Sequence, residues 1–222
     1  MTPRHHLDPA TVLAHAAGAI APEAAAIVAI HLEACDACRR VLARAEQVGG
    51  VLLEQQHVHA ATDASRERLR ADMLQRLEHD TAVASMPWQE SPAPDPDRLP
   101  APLHPYFGDT YSGLRWRWMG PGRHFVQTRG PSGGTLLMLR IAPGKRMPVH
   151  GHGGSEITQI LRGAYQDSLG CFAAGDVADL DAGTEHQPVI LPGAACVCVA
   201  ALDAPLRFPG WLARALQPVF GI

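Results

Sequence analysis

The sequence GKRMPVHGHGGSEITQILRG, residues 144–163, places two histidines and a glutamate close together in a segment rich in glycine. His150 and His152 are two residues apart, so in a β-strand both side chains project from the same face. The glycines that follow allow the bend that brings Glu156 to that face. The segment therefore predicts two imidazoles and one carboxylate that converge on one point of a β-structure.

A second segment, GDVADLDAGTEH, residues 175–186, supplies a third imidazole. A tight turn at Gly183 delivers His186 from a different strand. Three imidazoles and one carboxylate could then converge inside a barrel, and three nitrogens with one oxygen suit Zn, Mn, Fe or Ni alike.

The surrounding sequence, from Gly108 onward, consists of short β-segments separated by glycine turns. This pattern predicts an antiparallel barrel or sandwich, followed by one capping helix over residues 208–220. The preceding residues 85–108 contain seven prolines, which exclude both a helix and a central strand and predict an extended linker. Tyr106 and Phe107, like Trp88, are poorly suited to free solvent, so part of this linker is expected to pack on a domain.

The first eighty residues predict four helices in a small core. The first begins with Asp8 as its cap and Pro9 at its first position, and a later one begins with Ser65 as its cap. Gly49-Gly50 is a possible kink or break within the third helix. The fourth, SRERLRADMLQRLE, is amphipathic, because its apolar residues Leu69, Met73 and Leu77 follow one another at intervals of four.

The segment HLEACDAC, residues 31–38, raises three alternatives: a redox pair, a metal site or three core residues. On a helix, His31, Cys35 and Cys38 share a stripe about 60° wide. A redox C-x-x-C pair is disfavoured because nothing strand-like precedes Cys35. The core alternative does not explain why an imidazole accompanies two thiols, so a zinc site is preferred.

The composition of the whole chain narrows the class of protein. The chain has 222 residues, 46% of them hydrophobic and 18% charged, which is ordinary for a globular protein. No run of about 18 apolar residues suggests a membrane span, and no signal peptide is visible, so we expect a cytoplasmic protein with reduced thiols. The formal charge of −3, with its acidic excess in the N-terminal part, is a weak argument against direct nucleic-acid binding.

The β-region resembles the cupin family. The pattern G-x5-H-x-H-x3-E-x6-G is met in full by Gly144, His150, His152, Glu156 and Gly163. The second cupin motif is met by its glycines and its histidine, whereas an aspartate replaces its proline and its usual asparagine is absent. The resemblance implies a small β-barrel that holds a divalent ion through His150, His152, Glu156 and His186. Scattered surface histidines are a poor alternative, because four ligand-type residues match two separate spacings.

The N-terminal part resembles the zinc-binding anti-sigma domain, and the full chain resembles the ChrR-type anti-sigma factors. The arrangement H-x3-C-x2-C at His31, Cys35 and Cys38 carries this resemblance, with His6 as the fourth ligand and neighbouring His5 as an alternative. The resemblance implies an α + β two-domain protein: a zinc-binding four-helix bundle over residues 1–85, a proline-rich linker over 86–105 and an antiparallel cupin β-barrel over 106–222.

The same resemblance implies a regulator rather than an enzyme. Its helical domain would sequester an extracytoplasmic-function (ECF) sigma factor, repress transcription, and release that partner under singlet oxygen or related oxidative stress, with no direct contact to nucleic acid or membrane. It implies Zn²⁺ in the N-terminal site and Zn²⁺ or another divalent ion, such as Mn²⁺ or Fe²⁺, in the cupin. Two alternatives remain: a metal-dependent cupin dioxygenase with an accessory zinc domain, and a DNA-binding regulator. Cys196 and Cys198 are either redox-active or small core residues, and Cys171 is expected in the core.

Overall fold

The computed structural model of the chain describes residues 2–56, 62–79 and 95–210, and Arg214. By their contacts the residues form two compact units, one made of residues 1–49 with 97–222 and the other of residues 50–96. The first three helices, up to Gly49, therefore belong to the unit that contains the β-structure. The single four-helix bundle expected from the sequence is not confirmed, and the boundaries 1–85, 86–105 and 106–222 stay a prediction.

Four helices occupy the N-terminal region, as predicted: α1 (Pro9–Ala16), α2 (Pro22–Ala34), α3 (Asp36–Glu54) and α4 (Asp63–His79). The predicted start of α1 is confirmed, since the Asp8 carboxylate accepts a hydrogen bond from the Ala10 N–H at 2.7 Å. Two details were wrong. Helix α3 continues through Gly49-Gly50, because a glycine pair costs helix stability without preventing helical backbone. Helix α4 begins before Ser65, whose N–H is accepted by the Thr62 hydroxyl at 3.3 Å.

The proline-rich segment is partly helical, which corrects the prediction that its prolines exclude a helix. A 3₁₀ turn spans Ala101–Leu103 and α5 spans His104–Phe107. Both begin with a proline in their first turn, where the missing N–H has no intrahelical partner to lose. Leu103 is fully buried, and Tyr106 and Phe107 pack against the core, as expected. Trp88 lies outside the described residues.

The C-terminal half is an antiparallel β-domain, as predicted. Its strands are β1 (Arg117–Gly120), β2 (Arg123–Arg129), β3 (Thr135–Ile141), β4 (His150–His152), β5 (Glu156–Arg162), β6 (Ala164–Asp167), β7 (Gly170–Ala173), β8 (Val177–Leu180), β9 (Glu185–His186), β10 (Val189–Ile190), β11 (Cys196–Leu202) and β12 (Leu206–Arg207). They form a six-stranded sheet in the order β1-β2-β3-β11-β5-β8 and two three-stranded sheets, β10-β6-β7 and β12-β4-β9. The capping helix expected over residues 208–220 falls almost entirely outside the described residues.

Helix α2 packs against β11 and β5 of the six-stranded sheet. Its sequence, PEAAAIVAIHLEA, is apolar on nearly all sides, which is typical of a helix that is buried all round. Ile27 and Val28 are fully buried there and share one core with Leu136, Met138 and Val199 of the sheet. The packing therefore brings the α2–α3 junction against the β-domain. None of the described helices is both long and apolar enough to cross a membrane.

Two candidate metal centres

The helical cluster brings together the four N-terminal residues predicted to bind zinc: His6, His31, Cys35 and Cys38. One ligand atom from each lies within 4.8 Å of all the others. His6 Nδ1 is 3.2 Å from Cys35 Sγ, and His31 Nε2 is 3.4 Å from Cys38 Sγ. His5, the alternative to His6, turns away: its ring stacks on Phe172 with centroids 3.9 Å apart.

The junction between two helices creates the helical cluster. Helix α2 ends at Ala34, and Cys35 adopts extended backbone angles before α3 begins at Asp36. His31 thus lies in the last turn of α2 and Cys38 in the first turn of α3. The break lets both cysteines face back toward His31, and the start of α3 favours negative charge on a thiolate.

The protonation states within the helical cluster fit a metal ion. Burial raises the pKa of the Cys38 thiol to about 11, and the neighbouring Cys35 adds to that rise. A Cys38 thiolate in this buried position therefore needs a cation beside it. Burial lowers the pKa of His31, which keeps its imidazole neutral, as a metal ligand requires. Two nitrogens and two sulfurs form the donor set of a closed structural zinc site.

The β-domain cluster brings together the other four predicted ligands: His150, His152, Glu156 and His186. All four are buried, and one ligand atom from each again lies within 4.8 Å of the others. Strand pairing explains this convergence, because β4 pairs with β9 in a register that sets His150 opposite His186. The Nε2 atoms of these two residues are 3.1 Å apart.

A second set of contacts orients the three imidazoles of the β-domain cluster. The Nδ1 atoms of His150, His152 and His186 lie 2.9 Å from Pro148 O, 3.4 Å from Asp181 O and 2.8 Å from Asp167 Oδ2. With the proton on Nδ1, each ring donates a hydrogen bond outward. The unprotonated Nε2 then faces inward and is free to bind a metal ion.

One buried nitrogen shows that the β-domain cluster fits a metal ion. His152 Nε2 makes no hydrogen bond to any residue that the structure describes, and it lies 3.3 Å from Glu156 Oε2. A buried nitrogen without a partner is costly, and a shared cation would satisfy it together with the other three ligands. Burial lowers the pKa of both His150 and His186, so their imidazoles are neutral and able to bind.

The three cysteines of the β-domain, Cys171, Cys196 and Cys198, are all free thiols. Cys196 and Cys198 are buried and line a cavity of about 50 Å³ beside the β-domain cluster. Cys171 was expected in the core, and this was wrong. On β7 the neighbouring Phe172 points inward, so the alternation of the strand turns Cys171 to solvent.

Sequence reasoning missed the two carboxylates that support the clusters from outside. Asp167, at the end of β6, is the partner of His186, and Asp176, in the β7–β8 turn, binds the backbone of the N-terminal segment. Each is a single aspartate next to a turn, which is where aspartates are common for unrelated reasons. Only the strand pairing reveals the residue that each one contacts.

Comparison with known proteins places the chain in a family. Residues 109–204 match the family described as the ChrR cupin-like domain. The chain is 38% identical over 228 residues to the anti-sigma-E factor ChrR of Cereibacter sphaeroides, covering all of both proteins. Its structure is similar to the crystal structure of Rhodobacter sphaeroides SigE in complex with the anti-sigma ChrR, with a TM-score of 0.73 and 33% identity over 91% of this chain and 100% of that chain.

Together with the cupin-like β-domain, these relatives place the chain in the class of anti-sigma factors, which are regulatory proteins. The chain belongs to the ChrR family of anti-sigma factors. The predicted family and the predicted anti-sigma role are thereby confirmed.

Proposed function

We propose that this protein holds an ECF sigma factor in an inactive complex in the cytoplasm and releases it under singlet oxygen or related oxidative stress. The helical part, within residues 1–85, would insert between the two DNA-binding regions of the sigma factor and cover the surface that binds polymerase. The β-domain, within 106–222, would receive the signal. The 38% identity to an anti-sigma factor over the full length carries this proposal.

The exposed apolar side of α4 supports a role for this helix in binding the sigma factor. Leu69, Met73 and Leu77 are 67%, 57% and 62% exposed, although their spacing places them on one side of the helix. Exposed apolar rows of this kind bury against a groove of a partner. We call these three residues the α4 ridge and propose that it docks on the sigma factor.

The metal assignments form part of the same proposal. His6, His31, Cys35 and Cys38 would hold Zn²⁺, which ties the N-terminal segment to α2 and α3 and stabilises that fold. His150, His152, Glu156 and His186 would hold Zn²⁺ or another divalent ion such as Mn²⁺ or Fe²⁺. A divalent ion with three neutral imidazoles and one carboxylate keeps a net positive charge, which favours an anionic or peroxide ligand.

The exposure of the α4 ridge determines how much sigma-factor affinity should be lost when the ridge is removed. Full burial of a leucine or methionine side chain is worth about 1.5–3 kcal/mol, and roughly 60% of that remains available on each of the three. Replacing all three by alanine should therefore weaken sigma binding by on the order of a hundredfold or more.

The experiment co-expresses the full chain with a cognate ECF sigma factor and measures their affinity by surface plasmon resonance. The triple variant Leu69→Ala, Met73→Ala, Leu77→Ala is compared with Gln75→Ala, a matched control on the opposite side of α4. Loss of affinity in the triple variant alone supports the proposed docking. Equal affinity in both variants would contradict the role of the ridge, and failure of the wild type to bind any ECF sigma factor would overturn the proposed function itself.

A further inference from the structure

The β7–β8 turn contacts the helical cluster from two sides. The Gly175 carbonyl oxygen lies 3.2 Å from His31 Nδ1 and accepts a hydrogen bond from it. Asp176 Oδ1 accepts hydrogen bonds from the backbone N–H groups of Arg4 and His5, at 2.6 and 3.0 Å. One short turn of the β-domain therefore holds both a proposed metal ligand of α2 and the backbone just before His6.

Asp176 is buried and held in place by hydrogen bonds. Its side chain is buried, and Oδ2 accepts a further hydrogen bond from the Ala173 N–H at 2.8 Å. Burial raises the pKa of Asp176, but the hydrogen bonds from Ala173, His5 and Arg4 outweigh burial and hold that pKa below its ordinary value. The carboxylate is thus charged near neutral pH, and three backbone N–H groups orient it.

The segment that Asp176 holds carries the one proposed ligand that is exposed. His6 precedes α1, whereas His31 and Cys38 lie within helices and Cys35 joins those two helices. Fixing the backbone of one residue costs about 1–2 kcal/mol of conformational entropy. With Arg4 and His5 held by Asp176, much of that cost is met before a metal ion binds.

Two other contacts support the same placement of the N-terminal segment. The His5 ring stacks on Phe172 of β7, and its Nε2 lies 3.0 Å from the Cys171 carbonyl oxygen. The Asp8 N–H donates to Asp179 Oδ2 on β8 at 2.9 Å. The segment from Arg4 to Asp8 therefore lies along the β7–β8 hairpin.

We propose that Asp176 is a positioning residue of the helical metal site: the β-domain, through Asp176, holds the N-terminal segment so that His6 completes the ligand set. This inference rests on the metal assignment in the proposed function and adds a residue outside the helical part to that site. Replacement of a residue that orients a metal ligand typically lowers metal affinity by about 10-fold to 100-fold. We expect a loss in that range for Asp176→Asn.

The experiment measures Co²⁺ binding to the full chain after all metal has been removed. Co²⁺ bound by cysteine gives a thiolate charge-transfer absorption, so it reports on the helical cluster and not on the His and Glu ligands of the β-domain cluster. Cys35→Ser provides the blank. Asp97→Asn is the matched control, because the Asp97 carboxylate also accepts a hydrogen bond from a backbone N–H, that of Ser112.

A second comparison separates positioning from a general loss of structure. If Asp176 acts through His6, Asp176→Asn should weaken Co²⁺ binding by 10-fold or more in the wild-type background and by less than about twofold in a His6→Ala background. The thiolate charge-transfer band of Asp176→Asn should shift toward that of His6→Ala, which a uniform destabilisation would not produce.

Each outcome bears on a different claim. Unchanged Co²⁺ affinity in Asp176→Asn would overturn the positioning role, and so would an equal loss with and without His6. A wild-type chain that gives no thiolate absorption would overturn the zinc assignment of the proposed function as well. Sigma binding, measured separately, tests the anti-sigma role independently of either result.

Discussion

Replacing Gly130 by alanine should detach Glu23 of α2 from the β2–β3 turn. The Glu23 carboxylate is buried in this turn, where it accepts hydrogen bonds from the Ser132 N–H at 3.1 Å and from the Ser132 hydroxyl. A Cβ atom at Gly130 would overlap the Glu23 side chain, well inside the 3.0 Å that real Cβ atoms respect. The backbone of Gly130 has no positive φ, so alanine is otherwise compatible with that position.

The loss of these hydrogen bonds determines how much stability Gly130→Ala should cost. A hydrogen bond to a charged group contributes about 1.5–3 kcal/mol, and two of them are broken when the carboxylate moves. The displaced carboxylate regains water, so the lower end of the sum applies, about 3 kcal/mol. For a chain of this size, 1 kcal/mol corresponds to roughly 2–4 °C in Tm, so Gly130→Ala should lower Tm by about 6–12 °C.

A double-mutant cycle in urea unfolding tests this reasoning. The cycle compares the wild type, Gly130→Ala, Glu23→Ala and the double variant. Because Glu23→Ala removes the atoms that the new methyl group would strike, Gly130→Ala should cost less than about 0.5 kcal/mol in that background. Additive costs, or a Tm within 2 °C of the wild type for Gly130→Ala, would refute the proposed contact.

Other perturbations have directions that follow from the same structure. Burial raises the pKa of Glu23, but its hydrogen bonds outweigh this and hold that pKa below its ordinary value of 4.5. Its ionised form therefore stabilises the fold above pH 4.5 and loses that effect as pH falls through the lowered pKa. The Tm gap between wild type and Glu23→Gln, measured by calorimetry, should be full at pH 7 and should close as the pH falls through that lowered pKa. Gly50→Ala, in open space within α3, should raise Tm, because it adds about 0.5–1 kcal/mol of helix stability; a fall in Tm would contradict the unbroken helix. Cys38→Ser should remove about one Zn²⁺ per chain by mass spectrometry under native conditions, whereas His152→Ala should leave that zinc in place.

The residues of both clusters were predictable from the sequence because their spacing alone brings most of them together. The i, i+2 pair His150 and His152 shares a strand face. The H-x3-C-x2-C spacing singled out His31, Cys35 and Cys38, although these residues meet across the α2–α3 junction and not along the stripe of one helix. His6 depended on the resemblance to a family, since no local geometry ties an N-terminal residue to α2. The metal ion itself stays a prediction for both clusters, because donor types restrict its identity without deciding it.

The features that could not be predicted depend on contacts between distant parts of the chain. Nothing in the local sequence indicates that α2 packs on β11 and β5, although its nearly uniform apolar composition is typical of a helix buried on all sides. The expected separation of a helical domain from a β-domain by a linker follows from composition, and composition carries no information about which surfaces meet. The burial of Leu99 and Leu103 could not be predicted for the same reason, because it depends on which surface the proline-rich segment meets.

Strand β8 shows why the relation between the two clusters could not be inferred from motifs. The turn before β8 contains Gly175, whose carbonyl oxygen accepts a hydrogen bond from His31 Nδ1 of the helical cluster. The residue after β8 is Asp181, whose carbonyl oxygen lies 3.4 Å from His152 Nδ1 of the β-domain cluster. A motif records Gly175 and Asp181 only as turn residues around a metal-binding histidine. In the folded chain they lie on either side of one four-residue strand, and each contacts a proposed ligand of one cluster, so any shift of β8 moves a partner of both.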